Sequence, residues 1–474
     1  MCAGAVLYWK YKDDPIGAIK VDKNVKRTSF HLPIIGSLLA MVQDIDNSID
    51  LLSQELNSPH FERALVLAVP FSEPRIMIHD PQSIEYITNT NFENYVKGTF
   101  TNSRMQDVLG NGIFNSDGHQ WYTQRKLTAK IMTNRNFKLY IDTVFTDNIS
   151  ILLLVLKDLA QNVPVDMHDI FQRYFMDSFG KIAYGIDINS LLGESPSYVR
   201  AFDRSQNVMG SRFVNPFFRL MDKFNYNLRE DIKMIREFGN QVVENRKNTM
   251  EKRNDLLSLF MEHRDEYGQS PSTEELADHV ISFILAGRDS TAQALSWTLY
   301  CLSKNPHAKE CLLKEIKDIL GDKEIPDYEQ VRKMKYANAV FKETLRLYPS
   351  VPREGKVALQ DDILPNGTRI PKGAIVSFYP YAMGRSEKLW KDAVQYKPER
   401  WLNSKQPSSY EYTAFMCGPR ICLGKNLAEL QGVFTLVAIL NNFDFEIINP
   451  LSVEKKISLT LPMKNGLICQ LTRK

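Results

Sequence analysis

The sequence predicts a mainly α-helical protein that carries a small β region. Apolar residues recur at spacings of three and four through most of residues 80–305, which is the pattern of helices with one buried face. Two short apolar runs, residues 64–69 and 75–78, are separated by a proline-containing turn, which is typical of a pair of strands. The first strands therefore precede the helical part of the chain.

Turn signals near the C-terminus predict further strands. Asn366-Gly367 is a strong two-residue turn within residues 363–377, which we expect to form β-hairpins. A last hairpin is predicted over residues 458–470, with its turn near Asn465-Gly466. Three apolar residues of this hairpin either line a cavity or belong to the core, namely Leu459, Leu461 and Met463.

Composition limits the class of protein. The chain has 474 residues, of which 43% are hydrophobic, and this argues for a large core and against disorder. A net charge of +3 argues neither for nor against a nucleic-acid partner. The six cysteines form no CxxC pair and have no zinc-ligand spacing, so we expect a reducing, cytosol-facing compartment.

The N-terminus carries an apolar run over residues 2–9, followed by Lys10 and Lys12. A membrane span needs about 20 apolar residues, so this run is too short to cross a bilayer. It is either the remnant of a membrane anchor or a short buried or frayed segment. We expect residues 1–27 to be an N-terminal stub.

Residues 415–424 have the features of a loop that presents one thiolate. The stretch reads Phe-Met-Cys-Gly-Pro-Arg-Ile-Cys-Leu-Gly, and its glycines suit tight turns or close backbone approach. Arg420 places a cation two residues before Cys422, and apolar residues at helical spacing follow from residue 425. Cys422 thus precedes a helix N-terminus, where free N–H groups and the helix dipole favour an ionised thiol. A single thiolate in this setting suits haem iron.

This loop resembles the haem-binding loop of the cytochrome P450 monooxygenases, whose pattern is Phe-x-x-Gly-x-Arg-x-Cys-x-Gly. The residues that fill its fixed positions are Phe415, Gly418, Arg420, Cys422 and Gly424. The resemblance implies haem b, with the Cys422 thiolate as the axial metal ligand. It also implies one catalytic domain over residues 28–474, with the haem between a long central helix and the cysteine loop. Cys417, where a small residue is more usual, is expected to be a buried and inert thiol.

The centre of a helix predicted over residues 273–304 is similar to the oxygen-binding motif of the same family. A glycine inside a helix costs about 1 kcal/mol relative to alanine, so it usually serves packing or function. Ala286 and Gly287 are expected to leave room for the flat cofactor and for O₂. The expected catalytic residues are an acid and two hydroxyls that relay protons, namely Asp289, Ser290 and Thr291. The family most often has threonine directly after the acid, so Ser290 predicts poorer coupling of electrons to product.

Further cofactor contacts are implied by the resemblance. Trp121 and Arg125 lie four residues apart and share one helix face, and in the family this pair reaches a haem propionate. Arg353 or Lys356 supplies a second cation, and we favour Lys356 on its spacing from Pro352.

A charge network is expected on the cysteine side of the haem. Glu343 and Arg346 are three residues apart on a helix predicted over residues 331–347, so their side chains can pair. Arg400 follows a proline and a glutamate, as in the family motif whose arginine joins this pair. The three side chains would form a buried, mutually satisfied network.

Two surfaces suggest partners. Residues 119–141 contain five cations and no carboxylate, which is either a solvated helix face or a docking surface for an acidic reductase. Residues 209–221 are rich in Phe, Leu and Met and are interrupted by Asn215-Pro216. They form either plain core or a substrate entrance that touches the membrane.

The resemblance implies hydroxylation of a lipophilic substrate with O₂ and electrons from an NADPH-dependent reductase, at the cytoplasmic face of the endoplasmic reticulum membrane. Residues 286–289, 364–367 and 381–385 look most like the eukaryotic fatty-acid and alkane ω-hydroxylases. Alternatives are oxidation of a sterol or another lipid, reductase-independent rearrangement or dehydration of lipid peroxides, and a non-catalytic haem or lipid binder. No nucleic-acid partner is expected.

Overall fold

The computed structural model describes residues 7–8, 10–43, 46–160, 163–193, 196–213, 215–249, 253, 255–265, 267–403, 405–456 and 458–474. Helices make up most of this part of the chain. In chain order the α-helices are α1 (Leu38–Gln43), α2 (Ser48–Leu56), α3 (Pro81–Glu85), α4 (Gly98–Leu109), α5 (Gly118–Ala129), α6 (Asn134–Tyr140), α7 (Thr146–Leu159), α8 (Met167–Tyr184), α9 (Ser197–Arg212), α10 (Phe218–Lys223), α11 (Tyr226–Thr249), α12 (Leu256–Glu262), α13 (Thr273–Lys304), α14 (Pro306–Leu320), α15 (Tyr328–Lys333), α16 (Lys335–Leu347), α17 (Pro380–Met383) and α18 (Lys425–Asn442).

The β region consists of short strands. These are β1 (Lys26–Arg27), β2 (Ala64–Leu67), β3 (Arg75–Ile78), β4 (Tyr95–Val96), β5 (Val165–Asp166), β6 (Glu354–Ala358), β7 (Asp362–Ile363), β8 (Arg369–Ile370), β9 (Ile375–Phe378), β10 (Phe443–Ile447) and β11 (Ile468–Arg473). One sheet has the order β1-β2-β3-β9-β6-β4, a second has the order β10-β11-β5, and β7 pairs with β8. The observed architecture confirms the predicted mainly α fold with a small β region.

Helix α13 is the central element. Its bounds are those predicted from the sequence, because Ser272 caps its N-terminus in a reciprocal capping box with Glu275 and Pro306 follows its C-terminus. The helix packs against α8, α11, α16 and α18. Most of its side chains are buried, so one long apolar helix organises the core around it.

Several predicted elements differ from the observed ones. The helix predicted over residues 331–347 is broken at Met334 into α15 and α16. By contrast, the hairpin predicted around Asn366-Gly367 is confirmed, since β7 and β8 pair on either side of Gly367, which has φ +78°. The hairpin predicted over residues 458–470 is wrong, because β11 pairs with β10 and β5 instead. A local turn signal does not specify which distant strand will form the backbone hydrogen bonds of a given strand.

The N-terminal region contributes to the core before residue 28. Strand β1 pairs in parallel with β2, and the side chains of Val21 and Val25 are buried in the cluster beneath the large sheet. The apolar run at residues 2–9 lies outside the described residues except for residues 7–8, which are helical and exposed. The division into residues 1–27 and 28–474 stays a prediction.

Within the described residues, one helical stretch is long and apolar enough to span a membrane by composition, Asn134–Leu159, with a mean hydropathy of 1.6. Phe145, Ile149 and Leu152 in this stretch are fully buried in the main core cluster. One face of this stretch therefore packs into the core, whereas Leu139 and Leu154 on other faces are exposed.

Candidate functional site

A cavity of about 390 Å³ lies between α13 and the loop that precedes α18. Cys422 and Phe415 line it on the loop side, and Ala286 and Gly287 line it on the side of α13. Most of the other lining residues are aromatic or aliphatic. The cavity therefore brings together the two motifs that the sequence predicted on opposite sides of a flat cofactor.

The loop that carries Cys422 is held by backbone contacts. The N–H of Cys422 donates a 2.8 Å hydrogen bond to the carbonyl of Phe415, which closes the loop. Gly418 has φ +63°, and a Cβ at this position would lie 2.1 Å from the carbonyl oxygen of Thr88. A side chain is therefore excluded at Gly418 by both conformation and space. At Gly424 the nearest atom to a Cβ would be Cys422 Sγ at 3.9 Å, so this glycine leaves space beside the thiol.

The two cysteines of the loop have different surroundings. Cys422 is exposed to the cavity, where loss of bulk solvent raises the pKa of its thiol, opposed by a hydrogen bond from the Gly424 N–H and by the charge of Arg125. Cys417 is fully buried in the cluster beneath the sheet, 3.4 Å from Thr88 Oγ1. Burial raises the pKa of the Cys417 thiol to about 11. Only the Cys422 side chain is placed to meet a ligand in the cavity.

Three side chains of the predicted cofactor set form one wall. Trp121 and Arg125 lie on α5 and line the cavity, as does Arg420. Arg125 donates a 2.7 Å hydrogen bond to the Ile421 carbonyl, which ties α5 to the cysteine loop. The Arg420 guanidinium lies 4.3 Å from the centre of the Trp121 ring and pairs with Asp117 at 2.6 Å.

Lys356 lies on β6 and also lines the cavity, although its side chain is 1% exposed. Its Nζ is 3.2 Å from Glu354 Oε1 without hydrogen-bond geometry, and Lys97 Nζ reaches the same oxygen at 2.6 Å. Burial, followed by the positive charge of Lys97, lowers the pKa of Lys356 to about 7. An anionic group in the cavity would supply the missing acceptor.

The small residues of α13 serve two purposes. Ala286 lines the cavity as predicted. At Gly287 a Cβ would lie 2.1 Å from the ring of Phe179 on α8. The glycine therefore admits an aromatic ring that itself lines the cavity, and this tight contact between α8 and α13 was not evident from the local sequence.

The predicted proton-relay residues do not all face the cavity. Ser290 and Thr291 line it, and Ser290 Oγ donates a 2.7 Å hydrogen bond to the Ala286 carbonyl. Asp289 is buried among α13 and α9, outside the cavity lining, where Gln206 donates a 2.7 Å hydrogen bond to its Oδ2. Burial raises the pKa of Asp289 to about 6, against the opposing charge of Arg288.

Glu343, Arg346 and Arg400 form a buried network. Two hydrogen bonds of 2.8 Å join Arg346 to Glu343, and both side chains are fully buried. Arg400 Nε lies 3.0 Å from Glu343 Oε1, and Trp401 donates a 2.9 Å hydrogen bond to Oε2. Both oxygens of the carboxylate are thus satisfied more than once.

Some residues at the site were not identified from the sequence. Lys97 and Glu354 face the cavity together, and Ser350 donates a 2.7 Å hydrogen bond to the Ser290 carbonyl. Gln206 reaches Asp289 from a helix 83 positions earlier in the chain. None of these residues has a local motif, so only their packing reveals them.

The lining residues fit a haem group. Three buried nitrogens that belong to lining residues, Lys356 Nζ, Arg420 Nε and Gln431 Nε2, have no hydrogen-bond partner among the described residues, and the first two belong to cations. Haem propionates are the kind of acceptor that such donors need. The Cys422 thiol is the one thiol that the loop presents to the cavity, and a thiolate is a ligand for haem iron.

Comparison with known proteins agrees with this geometry. A family model described as cytochrome P450 matches residues 28–470. Cytochrome P450 86B1 of Arabidopsis thaliana is 37% identical over 83% of this chain and 76% of its own length. Cytochrome P450 704C1 of Pinus taeda is 35% identical, covering 95% of this chain and 94% of the relative. Cytochrome P450 704B1 of A. thaliana is 31% identical over 93% and 94% of the two chains.

Proposed function

Because this chain belongs to the cytochrome P450 family, we propose that it hydroxylates a fatty acid at or near the terminal carbon. Its cofactor is haem b with a cysteine thiolate, and it is a monooxygenase that uses O₂, a lipophilic substrate and a redox partner. The observation that supports a long apolar substrate is the cavity itself. From Cys422 it continues past α13 to Phe100, Phe213 and Leu459, which an acyl chain can contact.

The haem, when bound, supplies the reductive activation of O₂. We propose Cys422 as its ligand, because Cys417 is packed away from the cavity. The proposed contacts from the protein are Phe415, Arg420 and Gly424 of the loop, Trp121 and Arg125 of α5, Lys356 of β6, and Ala286 and Gly287 of α13. The cations among them would bind the propionates and orient the group.

Proton delivery is proposed to run from Asp289 through hydroxyl groups to the cavity. The Oδ1 of Asp289 has no hydrogen-bond partner among the described residues, so it can hold a proton. The Ser290 hydroxyl donates its proton in the hydrogen bond to the Ala286 carbonyl, and its oxygen keeps lone pairs that can accept a hydrogen bond from a proton donor. Thr291 lies beside it on the cavity wall. A pKa of about 6 allows Asp289 to exchange protons near neutral pH.

The proposed electron donor is an NADPH-dependent reductase. The exposed cations of residues 119–141 that support a docking surface are Lys126, Lys130, Arg135 and Lys138. Lys126 and Lys130 lie on α5 and at its C-terminal end, and Arg135 and Lys138 lie on α6, the next helix. Helix α5 also carries Trp121 and Arg125. A positive surface at this place would steer an acidic partner toward the cofactor.

A membrane surface is proposed beside α10. Large apolar side chains at this place are exposed to solvent, namely Phe71, Phe217, Leu220, Met221 and Phe224. The rings of Phe71 and Phe217 are 6.4 Å apart, so two separate segments contribute to one patch. Phe213, four residues earlier, lines the cavity, which supports the interpretation of this region as a substrate entrance. Val214 of the same segment lies outside the described residues. The endoplasmic reticulum remains the proposed location.

The test is a titration of the haem-loaded protein with a panel of fatty acids and sterols, followed by turnover with a reductase and NADPH. We expect fatty acids to shift the ferric haem spectrum and to yield terminal or near-terminal alcohols. Sterols that bind more tightly would favour the alternative lipid substrate. Consumption of lipid hydroperoxide without NADPH or O₂ would favour the isomerase or dehydratase alternative. Absence of both binding and turnover with every fatty acid would contradict the proposal.

A further inference from the structure

Three arginines cluster at one side of the cavity. The side chains of Arg75 and Arg104 are 8% and 7% exposed, and Arg75 and Arg353 line the cavity. The guanidinium carbons of Arg75 and Arg104 lie 5.5 and 3.6 Å from the centre of the Phe100 ring. That of Arg353 lies 5.6 Å from the centre of the Phe213 ring. The cluster therefore combines cations with aromatic walls.

These arginines lack the carboxylate partners that their neighbours have. Four arginines on α9, α11 and α13 pair with aspartate, in Arg204–Asp231, Arg212–Asp107, Arg236–Asp278 and Arg288–Asp203. Within the described chain, no carboxylate lies within 4.0 Å of the guanidinium groups of Arg75, Arg104 or Arg353. Two buried cations, Arg75 and Arg104, and a half-buried one, Arg353, are costly without counter-ions unless other groups satisfy them.

The protein's own groups satisfy the cluster only in part. Arg104 donates to the carbonyls of Phe100 and Arg212, at 2.7 and 2.9 Å. Arg353 makes one 3.3 Å hydrogen bond to the Gly210 carbonyl, and the Arg75 guanidinium makes none to any described residue. Burial and the charge of Arg75 lower the pKa of Arg353 to about 10.

The acids closest to the cluster do not neutralise it. Glu354 follows Arg353 directly and lines the cavity, but its Oε1 is shared by Lys97 and Lys356. Glu73 affects the pKa of Arg75 and Arg104 only through longer-range charge. The donors of Arg75 and Arg353 are therefore open to an anion that enters the cavity.

We propose that Arg75 and Arg353, backed by Arg104, bind the carboxylate of a fatty-acid substrate. This assignment rests on the proposed function and extends it by naming the residues that select an acid over an uncharged lipid. Guanidinium groups match carboxylates well, and an anion here would replace water on donors that the fold leaves without an acceptor.

The position of the cluster also suggests why oxidation would occur at the far end of the chain. Arg353 contacts the C-terminal turn of α9 through Gly210, and Gly210 packs closely on the backbone of Ser458. Cys422 lies at another wall, beside Arg125 and the start of α18. A carboxylate held by the arginines would direct the other end of the acyl chain toward the cysteine wall.

The test compares binding of a fatty acid with binding of its methyl ester, which has the same chain but no charge. Binding is measured from the ferric haem difference spectrum. In Arg353→Gln and in Arg75→Gln the dissociation constant for the acid should rise about 10- to 100-fold, and that for the ester should stay within about twofold. The matched control is Arg219→Gln, which removes an exposed arginine near the same entrance and should change neither value.

A second comparison guards against a folding defect. Arg353→Lys should retain most of the preference for the acid, and Arg353→Glu should bind the corresponding alkyl trimethylammonium better than wild type does. The carbon-monoxide difference spectrum shows that each variant retains its haem environment. Equal losses for acid and ester, or a wild type that binds both equally, would overturn the carboxylate site while the fatty-acid function stands. A wild type that binds neither overturns both.

Discussion

The side-chain amide of Gln206 on α9 donates a 2.7 Å hydrogen bond to Oδ2 of Asp289 on α13. The other carboxylate oxygen lies 3.2 Å from Arg288 Nη1 without hydrogen-bond geometry, and Arg288 pairs with Asp203 at 2.6 Å. The acid proposed to deliver protons is therefore held by a second helix, α9, and lies outside the cavity lining. Its protonation depends on this contact as well as on burial.

Replacing Gln206 should change the pH dependence of turnover. The bond from Gln206 favours the carboxylate, so Gln206→Leu should raise the pKa of Asp289 above its value of about 6. If protonated Asp289 is the donor, product formation falls as pH rises through this pKa, and in the variant it should persist to higher pH. The measurement is the rate of product formation against pH. Ser205→Ala, a buried neighbour on α9, should leave the inflection in place. An inflection that moves downward in Gln206→Leu would contradict the prediction.

Ser290→Thr should raise the ratio of product formed to NADPH consumed. The hydroxyl of Ser290 is bonded to the Ala286 carbonyl, and the added methyl group would restrict χ1 and hold the hydroxyl in one position. The hydroxyl is retained in this variant. The change in product formation should therefore be far smaller than the loss of about 10²-fold or more that removal of a general acid or base typically causes.

The control for this prediction is Thr298→Ser. Its hydroxyl makes the same kind of bond, 2.7 Å to the Ala294 carbonyl, on the same helix but outside the cavity lining. The ratio should not change in this variant. A ratio that is unchanged or lower in Ser290→Thr would count against a role for the stiffened hydroxyl.

The two cysteines of the loop should respond differently to alanine. Cys417→Ala should keep the haem and the carbon-monoxide band of a thiolate complex, at a cost of about 1 kcal/mol for the small cavity left in the core. Cys422→Ala should abolish that band, since its side chain is the thiol that faces the cavity. The measurement is the carbon-monoxide difference spectrum of each purified variant. Loss of the band in Cys417→Ala and its retention in Cys422→Ala would reassign the ligand to Cys417.

Glu343→Gln should strongly destabilise the protein. It leaves Arg346 buried with 0% side-chain exposure and without its counter-ion, and losing one partner of a buried pair costs about 3–5 kcal/mol. The matched control is Glu329→Gln, whose partner Arg332 is 3.9 Å away with both side chains 61% exposed. That change should cost less than about 1 kcal/mol. The free energy of unfolding in denaturant measures both, and similar losses would argue against the network as a stabilising element.

The sequence by itself determined the features that depend on near neighbours. The bounds of α13 follow from a cap, a helical period and a proline, all within the segment. Glu343 and Arg346 are three residues apart on one helix, so their contact follows from helical geometry. The loop around Cys422 was identified because its required residues lie within ten positions.

Only the tertiary structure decided the contacts between residues far apart in the chain. Gln206 meets Asp289, Phe179 fills the space at Gly287, and β11 pairs with β10 and β5. Arg75 and Arg353 reach the same cavity from β3 and from the start of β6. These contacts depend on how helices and sheets pack, and packing is set by the whole core. A local sequence pattern predicts the conformation of a residue. It does not specify which distant residue will accept its hydrogen bonds or neutralise its charge.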